Sequence, residues 1–249
     1  MNNLVIICAI LLLVLLFLKV PVYIAVLSAS AVYFIGTPGM NLSIFAQKTI
    51  SGAEGLSLLA IPFFVCAGIF MNYTGVTKRI MNCCEVLTAR MPGGLAQVNI
   101  LLSTLMGGLS GSSLADAAMQ CKMLVPTMES KGYSKSFSTV ITAASGMVVP
   151  LIPPGVGLII YGCINNISIG KLFIAGIGPG IVLCVTLMIF THFLSKKRGY
   201  LPSRTTKIPV SEKIAAVRPA FLPLLLPIII IGGVRIGVFT ASEAGTVAI

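Results

Sequence analysis

The sequence predicts an all-α polytopic membrane protein whose regular spans are interrupted by a re-entrant hairpin and by a broken helix. Three observations predict it. Hydrophobic residues make up 57% of the 249-residue chain and charged residues 9%, with a mean hydropathy of +1.04. A water-soluble domain carries about 25% charged residues. Apolar runs such as 4–18 and 173–194 approach or exceed the roughly 20 residues that cross a bilayer. Finally, "GGLSGSSLADAAM" (107–119) and "AASGMVVPLIPPGVGLIIYG" (143–162) place glycine, serine and proline inside apolar surroundings. Irregular backbone is tolerated at membrane depth only where protein or a watery cavity covers it.

In chain order, spans are expected at about 4–18, 20–36, 56–71, 136–166 with a break, 172–194 and 220–234. The first run has no basic n-region and no small-residue cleavage site, so it reads as a retained helix rather than a signal peptide. Segments 41–52 and 72–92 are amphipathic and suited to bracing a neighbour. Between 94 and 128 two apolar arms meet at "SGSS"; each arm is short for a full span, which favours a hairpin that enters and returns on one side.

Charge parity supports that hairpin. With Lys19 on one side and 94–128 returning, thirteen basic residues share that side: Lys19, Lys78, Arg79, Arg90, Lys131, Lys135, Lys196, Lys197, Arg198, Arg204, Lys207, Lys213 and Arg218. Lys48, Lys171 and Arg235 fall opposite, and Lys122 lies in the hairpin. The positive-inside rule makes the crowded side cytoplasmic and the N-terminus external. It also accounts for the net charge of +11 without nucleic acid. The seven cysteines show no CxxC spacing, and His192, the one histidine, has no metal or triad constellation around it. Ser112, Ser113 and Asp116 lack a base, a metal set or a nucleophile elbow, which argues against an enzyme.

The hairpin tip carries the first candidate site. Ser113 and Asp116 read as an S-x-x-D capping box that opens the returning helix. A helix N-terminus held at membrane depth attracts anions. The candidate substrate-binding residues are therefore Ser110, Gly111, Ser112, Ser113 and Asp116. The plainer reading is that Asp116 only caps the helix and the serines only allow close packing. The break carries the second site. A proline removes the helical donor from the carbonyl four residues back, so Pro150, Pro153 and Pro154 free the carbonyls of Gly146, Val149 and Pro150. Unwound carbonyls of broken transporter helices coordinate Na⁺. Ser103 and Ser110, two turns apart on the outgoing arm, are the expected side-chain ligands alongside Gly146, Val149 and Pro150. Against this stand a plain proline kink and a Ser103 hydroxyl bonded back to the carbonyl four residues earlier.

The stretches 62–71, 91–118, 132–162, 168–181 and 237–249 together resemble the large membrane subunit of tripartite ATP-independent periplasmic (TRAP) transporters over nearly the whole chain. That resemblance implies one half of an inverted-repeat, elevator-type transporter in the bacterial inner membrane. It implies Na⁺-coupled import of an acidic organic solute, with a small four-helix membrane subunit and an extracytoplasmic solute-binding protein as partners. The wording "PPGVGLIIYG" and Lys122 beside "MLVP" look more like sialic-acid members than C4-dicarboxylate members. A Na⁺-coupled carboxylate transporter of another elevator family, working without a binding protein, is the alternative. The expected domains are scaffold helices and amphipathic arms (1–92), a first transport-domain repeat (93–194; hairpin 94–128, broken helix 136–166, helix 172–194), a cytoplasmic linker (195–219) and the start of a second repeat (220–249). Thr240 and Glu243 form a T-x-x-E capping box for that last helix. The chain reads as the N-terminal portion of a longer protein that alone does not transport.

Overall fold

The computed structural model describes residues 2–204 and 208–249, and all regular structure among them is helical. Lys207, counted above among the cytoplasmic basic residues, lies outside the described residues. The chain divides by packing into two units, 1–55 and 56–249.

The first unit holds α1 (Asn2–Phe17), α2 (Val22–Gly36) and α3 (Leu42–Ala53). Gly36 lets α2 approach α1 closely, since a Cβ there would sit 2.7 Å from Leu4 Cδ1. Asn41 caps α3 by accepting from the Ile44 amide at 3.0 Å. The apolar side chains of α1 and α2 stay largely uncovered within the unit, Phe17, Val22 and Tyr23 among them.

The second unit opens with α4 (Ala60–Tyr73) and α5 (Val76–Thr88), which meet at 71° around Gly75 in the left-handed region. α5 is amphipathic, burying Thr77, Ile80, Cys83, Cys84 and Thr88. These two helices thus belong with the hairpin's unit, whereas the sequence reading grouped them with residues 1–55. Helices α6 (Gly94–Ser110) and α7 (Ser113–Ser130) form the expected hairpin. At 1.5 Å per residue each arm is about 25–27 Å long, short of a bilayer core of about 30 Å. The broken helix consists of α8 (Lys135–Ser145), a short 3₁₀ turn at Val149–Leu151 and α9 (Val156–Asn165), bent by 42°. Then follow α10 (Ile169–Lys197), α11 (Val210–Ile236) and α12 (Ala241–Val247).

One boundary differs from the sequence reading. The linker expected over 195–219 ends at Pro209, and α11 begins at Val210, carrying Lys213 and Arg218 within its first turns. "VSEKIAAVR" is good helix-forming sequence. Glu212 in its first turn suits the positive helix end and pairs with Arg204. Charge density marked this stretch as loop, yet a helix protruding past the bilayer carries charge without cost. Pro219, Pro223 and Pro227 lie inside α11 without ending it.

The core of this unit is built around α6. Val98, Leu102, Met106 and Leu109 pack with Ile80, Cys83 and Cys84 of α5 and Leu124 of α7. On another face Leu95, Ala96 and Ile100 pack with Met128, Phe137, Ile141 and Cys184. A helix apolar on all sides is a buried helix. α4 joins α9, α10, α11 and α12 through Ala60, Phe64, Ile159, Phe173, Ile230 and Ala244. Outward, α10 exposes Ile181, Val182, Val185, Ile189, Phe190 and Phe193, a face suited to lipid rather than water. The segment after α10 ties down the base of the hairpin. The Gly93 amide donates to the Tyr200 carbonyl at 3.2 Å, and the Arg204 amide to the Ala89 carbonyl at 2.9 Å. The Tyr200 ring stacks on Tyr133 at 4.4 Å. The Ser134 hydroxyl and amide at the Tyr200 phenol oxygen hold its pKa below the usual tyrosine range.

Candidate functional site

The hairpin turns in two residues. α6 ends at Ser110 with Gly111 left-handed (φ +59), its amide donating to the Gly107 carbonyl at 3.2 Å. Ser112 then stands extended (φ −119, ψ 110) and caps α7, accepting from the Ala115 amide at 3.4 Å. The S-x-x-D capping box expected at Ser113 and Asp116 is therefore corrected by one residue. Ser113 is already the first helical residue, and position three of the helix is Ala115. The left-handed glycine uses up the preceding position, so Ser112 is the residue left with cap geometry.

Freed from the cap, Asp116 turns inward. It is 2% exposed, and its Oδ2 accepts from Ser103 Oγ at 2.7 Å and from Gln120 Nε2 at 2.8 Å. Gln120 Nε2 also donates to Ser103 Oγ at 2.6 Å. This triad locks the two arms of the hairpin together. It also answers the plainer reading of Ser103: its hydroxyl bonds across to α7, not back along α6. The other Asp116 oxygen, Oδ1, and Ser110 Oγ are buried with no hydrogen-bond partner. Both residues line one cavity of about 190 Å³ together with Ser112, Gly68, Asn72 and Met106. A ligand or water in that cavity would satisfy both atoms. Gly68 of α4 makes room for the tip, since a Cβ there would meet Ser110 Cα at 3.0 Å.

Of the five candidate tip residues, the fold thus brings Ser110, Ser112 and Asp116 to one cavity. Gly111 faces the broken helix instead: its carbonyl accepts from the Val156 amide at 3.3 Å, and a Cβ on it would collide with the Pro154 carbonyl oxygen. Ser113 directs its carbonyl toward Gly146, whose Cβ position lies 3.6 Å away. Lys122 is exposed on α7, outside the cavity.

The break behaves as the proline arithmetic requires. The Met147 amide donates to Ala144, Val148 to Ser145, and Leu151 and Ile152 both to Val148. Among the described residues no backbone amide outside the helices reaches the carbonyls of Gly146 or Pro150, while Val149 opens the 3₁₀ turn and has lost only its α-helical donor. Glycines crowd two of them: the Val149 oxygen lies 3.1 Å from the Cβ position of Gly107 on α6, and the Pro150 oxygen fills the space beside Gly155. The donor-free oxygens suit a hard cation. Of the two expected side-chain ligands, Ser103 is held in the triad and Ser110 faces the tip cavity. The polar side chain of α6 that bonds to the broken helix is Asn99, which the sequence reading missed. Asn99 Nδ2 donates to Thr142 Oγ1 at 2.7 Å, and Ser145 Oγ donates to Asn99 Oδ1 at 2.6 Å. The signal available was a polar residue recurring every three or four positions in apolar helices: Asn99 and Ser103 on α6, Asp116 and Gln120 on α7, Ser138, Thr142 and Ser145 on α8. Among the described residues no three of His, Cys, Asp and Glu cluster as metal ligands.

Comparison with known proteins identifies the family. The family model "Tripartite ATP-independent periplasmic transporter, DctM component" matches residues 9–249. The chain is 41% identical over 234 residues to the sialic acid TRAP transporter large permease protein SiaM of Vibrio cholerae, covering 94% of this chain and 54% of that protein. It is 41% identical over 228 residues to the 2,3-diketo-L-gulonate TRAP transporter large permease protein YiaN of Escherichia coli, covering 92% and 53%. To the sialic acid TRAP transporter permease protein SiaT of Haemophilus influenzae it is 38% identical over 236 residues, covering 95% and 38%. The chain spans about half the length, or less, of these curated relatives. With the model matched over almost every residue, the chain belongs to the DctM-component family of tripartite ATP-independent periplasmic transporters, a family of transporter permeases and not of enzymes.

Proposed function

We propose that this chain supplies one half-site of a Na⁺-coupled importer of an acidic organic solute in the bacterial inner membrane, of the sialic-acid or C4-dicarboxylate class. The observation that carries this reading is the meeting of the hairpin tip with the helix break. The Val156 amide bonds the Gly111 carbonyl, and Gly107 and Gly111 let the Val149 and Pro154 carbonyls come against the hairpin. A re-entrant tip beside an unwound helix is how secondary transporters present N–H groups to anions and carbonyls to cations at mid-membrane.

In this reading the Ser112-capped start of α7 and the Ser110 hydroxyl meet the solute's carboxylate. Asp116, tied to Ser103 and Gln120, sets the tip's shape and keeps one oxygen toward the cavity. The Gly146, Val149 and Pro150 carbonyls supply hard oxygens for Na⁺. The rest of the solute shell comes from the remainder of a full-length permease. Solute arrives from an extracytoplasmic binding protein, and a small four-helix subunit completes the membrane complex. The names of the relatives, which specify sialic acid and 2,3-diketo-L-gulonate, support an acidic solute. The thirteen-to-three charge asymmetry supports a cytoplasmic face at 72–92 and after α10.

The test is uptake by the full-length permease and its two partners in proteoliposomes, over a panel of sialic acid, diketogulonate and C4-dicarboxylates. Accumulation of one acid under an inward Na⁺ gradient, absent when K⁺ replaces Na⁺ or when the binding protein is withheld, is expected. Equal accumulation without Na⁺ would overturn the coupling, and equal accumulation without the binding protein would favour the stand-alone carrier.

A further inference from the structure

We propose that Asn99 is a positioning residue that holds the broken helix in register against the hairpin and so fixes where the carbonyls of Gly146, Val149 and Pro150 point; the consequence for ions rests on the reading of that break as an ion half-site. Asn99, Thr142 and Ser145 are each 0% exposed. The carboxamide spans one turn of α8, with Thr142 on its nitrogen and Ser145 on its oxygen. Ser145 is the last residue of α8, and Gly146, where the helix stops, comes next. Among the described residues these are the only side-chain hydrogen bonds between α6 and α8.

The direction of each bond is set by the chemistry. Thr142 Oγ1 accepts from the Asn99 amide and passes its own proton to the Ser138 carbonyl at 2.9 Å. Ser145 gives its proton to Asn99 Oδ1, although the Thr142 carbonyl lies within reach at 2.9 Å. Both hydroxyls therefore have a partner inside α8 if Asn99 is removed. α8 does not need Asn99 in order to fold; what Asn99 adds is the tie to α6. Further along the same helix Gly107, about 12 Å on, meets Val149 by bare backbone contact. The Asn99 tie and this close contact hold the near side of the break, and the Val156 amide on the Gly111 carbonyl holds the far side; of the two on the near side only the Asn99 tie is directional.

Hydrogen–deuterium exchange tests this in the full-length permease with its membrane partner, in lipid nanodiscs. Asn99→Leu keeps the number and branching of the side-chain heavy atoms and leaves no hydroxyl stranded. The amides of Met147, Val148, Leu151 and Ile152 should then exchange roughly tenfold faster, and Ser145→Ala, which removes one of the two bonds, should give about a third of that factor. Peptides from α7 and α10 should keep their wild-type rates. Wild-type exchange at 147–152 in Asn99→Leu, or equal acceleration in every helix, would overturn the proposal. Should Asn99→Leu fail to assemble, Ser145→Ala and Thr142→Val decide by the same criterion. Added Na⁺ should slow exchange at 147–152 in the wild type and much less in Asn99→Leu. If Na⁺ does not protect the wild type either, the sodium reading fails, while the rates without Na⁺ still judge Asn99.

Discussion

Replacing Gly111 by alanine separates two costs that the hairpin turn combines. At φ +59 an alanine pays about 1–2 kcal/mol for the left-handed backbone. Its Cβ also collides with the Pro154 carbonyl, so the break must shift away from the tip. That shift strands the Val156 amide, now bonded to Gly111, and an orphaned amide in a buried site costs about 1–3 kcal/mol. The total is about 2–5 kcal/mol. Gly132 is the control: it is also left-handed, at φ +86, but nothing lies within 4 Å of its Cβ position, so alanine there costs only the backbone term. Thermal unfolding of the two purified full-length variants measures the difference, and Gly111→Ala should melt several degrees below Gly132→Ala. Only Gly111→Ala should also impair uptake. Equal melting temperatures and equal uptake would refute the tight apposition of tip and break.

Three further outcomes are expected. Ser112→Leu should abolish uptake while the complex still assembles, because it removes the α7 cap, worth about 1 kcal/mol, and fills the cavity; wild-type transport by well-expressed protein would remove the tip from the site. Ser103→Ala should raise the Na⁺ concentration for half-maximal uptake several-fold, with binding-protein docking intact, because it removes both side-chain bonds that tie α6 to α7 and hold the hairpin against the break; an overlaid Na⁺ curve would make Ser103 a packing residue. Ser203→Cys, in a cysteine-free background, should resist an impermeant maleimide added outside intact cells; rapid labelling would invert the topology.

The helices, the two-armed hairpin and the broken span were legible because apolar runs, glycines and prolines act locally. Proline removes a donor wherever it stands, so the freed carbonyls of Gly146, Val149 and Pro150 follow from sequence alone. Partners across helices did not follow. The cap moved by one residue because Gly111 took the left-handed position, and that single step turned Asp116 from cap to the centre of a triad with Ser103 and Gln120. Asn99 was missed for a related reason: a lone amide in an apolar helix gains meaning only when α8 brings Thr142 and Ser145 beside it. The start of α11 was read ten residues late because charge suggested a loop where a helix extends beyond the spanning segment.

The central claim is that the tip cavity and the break act as one Na⁺-dependent solute site, and accessibility at Ser112 tests it most directly. In a cysteine-free, full-length permease in proteoliposomes, Ser112→Cys should react with a water-soluble maleimide. Transported solute should slow that reaction when Na⁺ is present and have little effect when K⁺ replaces it. An alkylation rate that ignores both solute and Na⁺ would contradict the account.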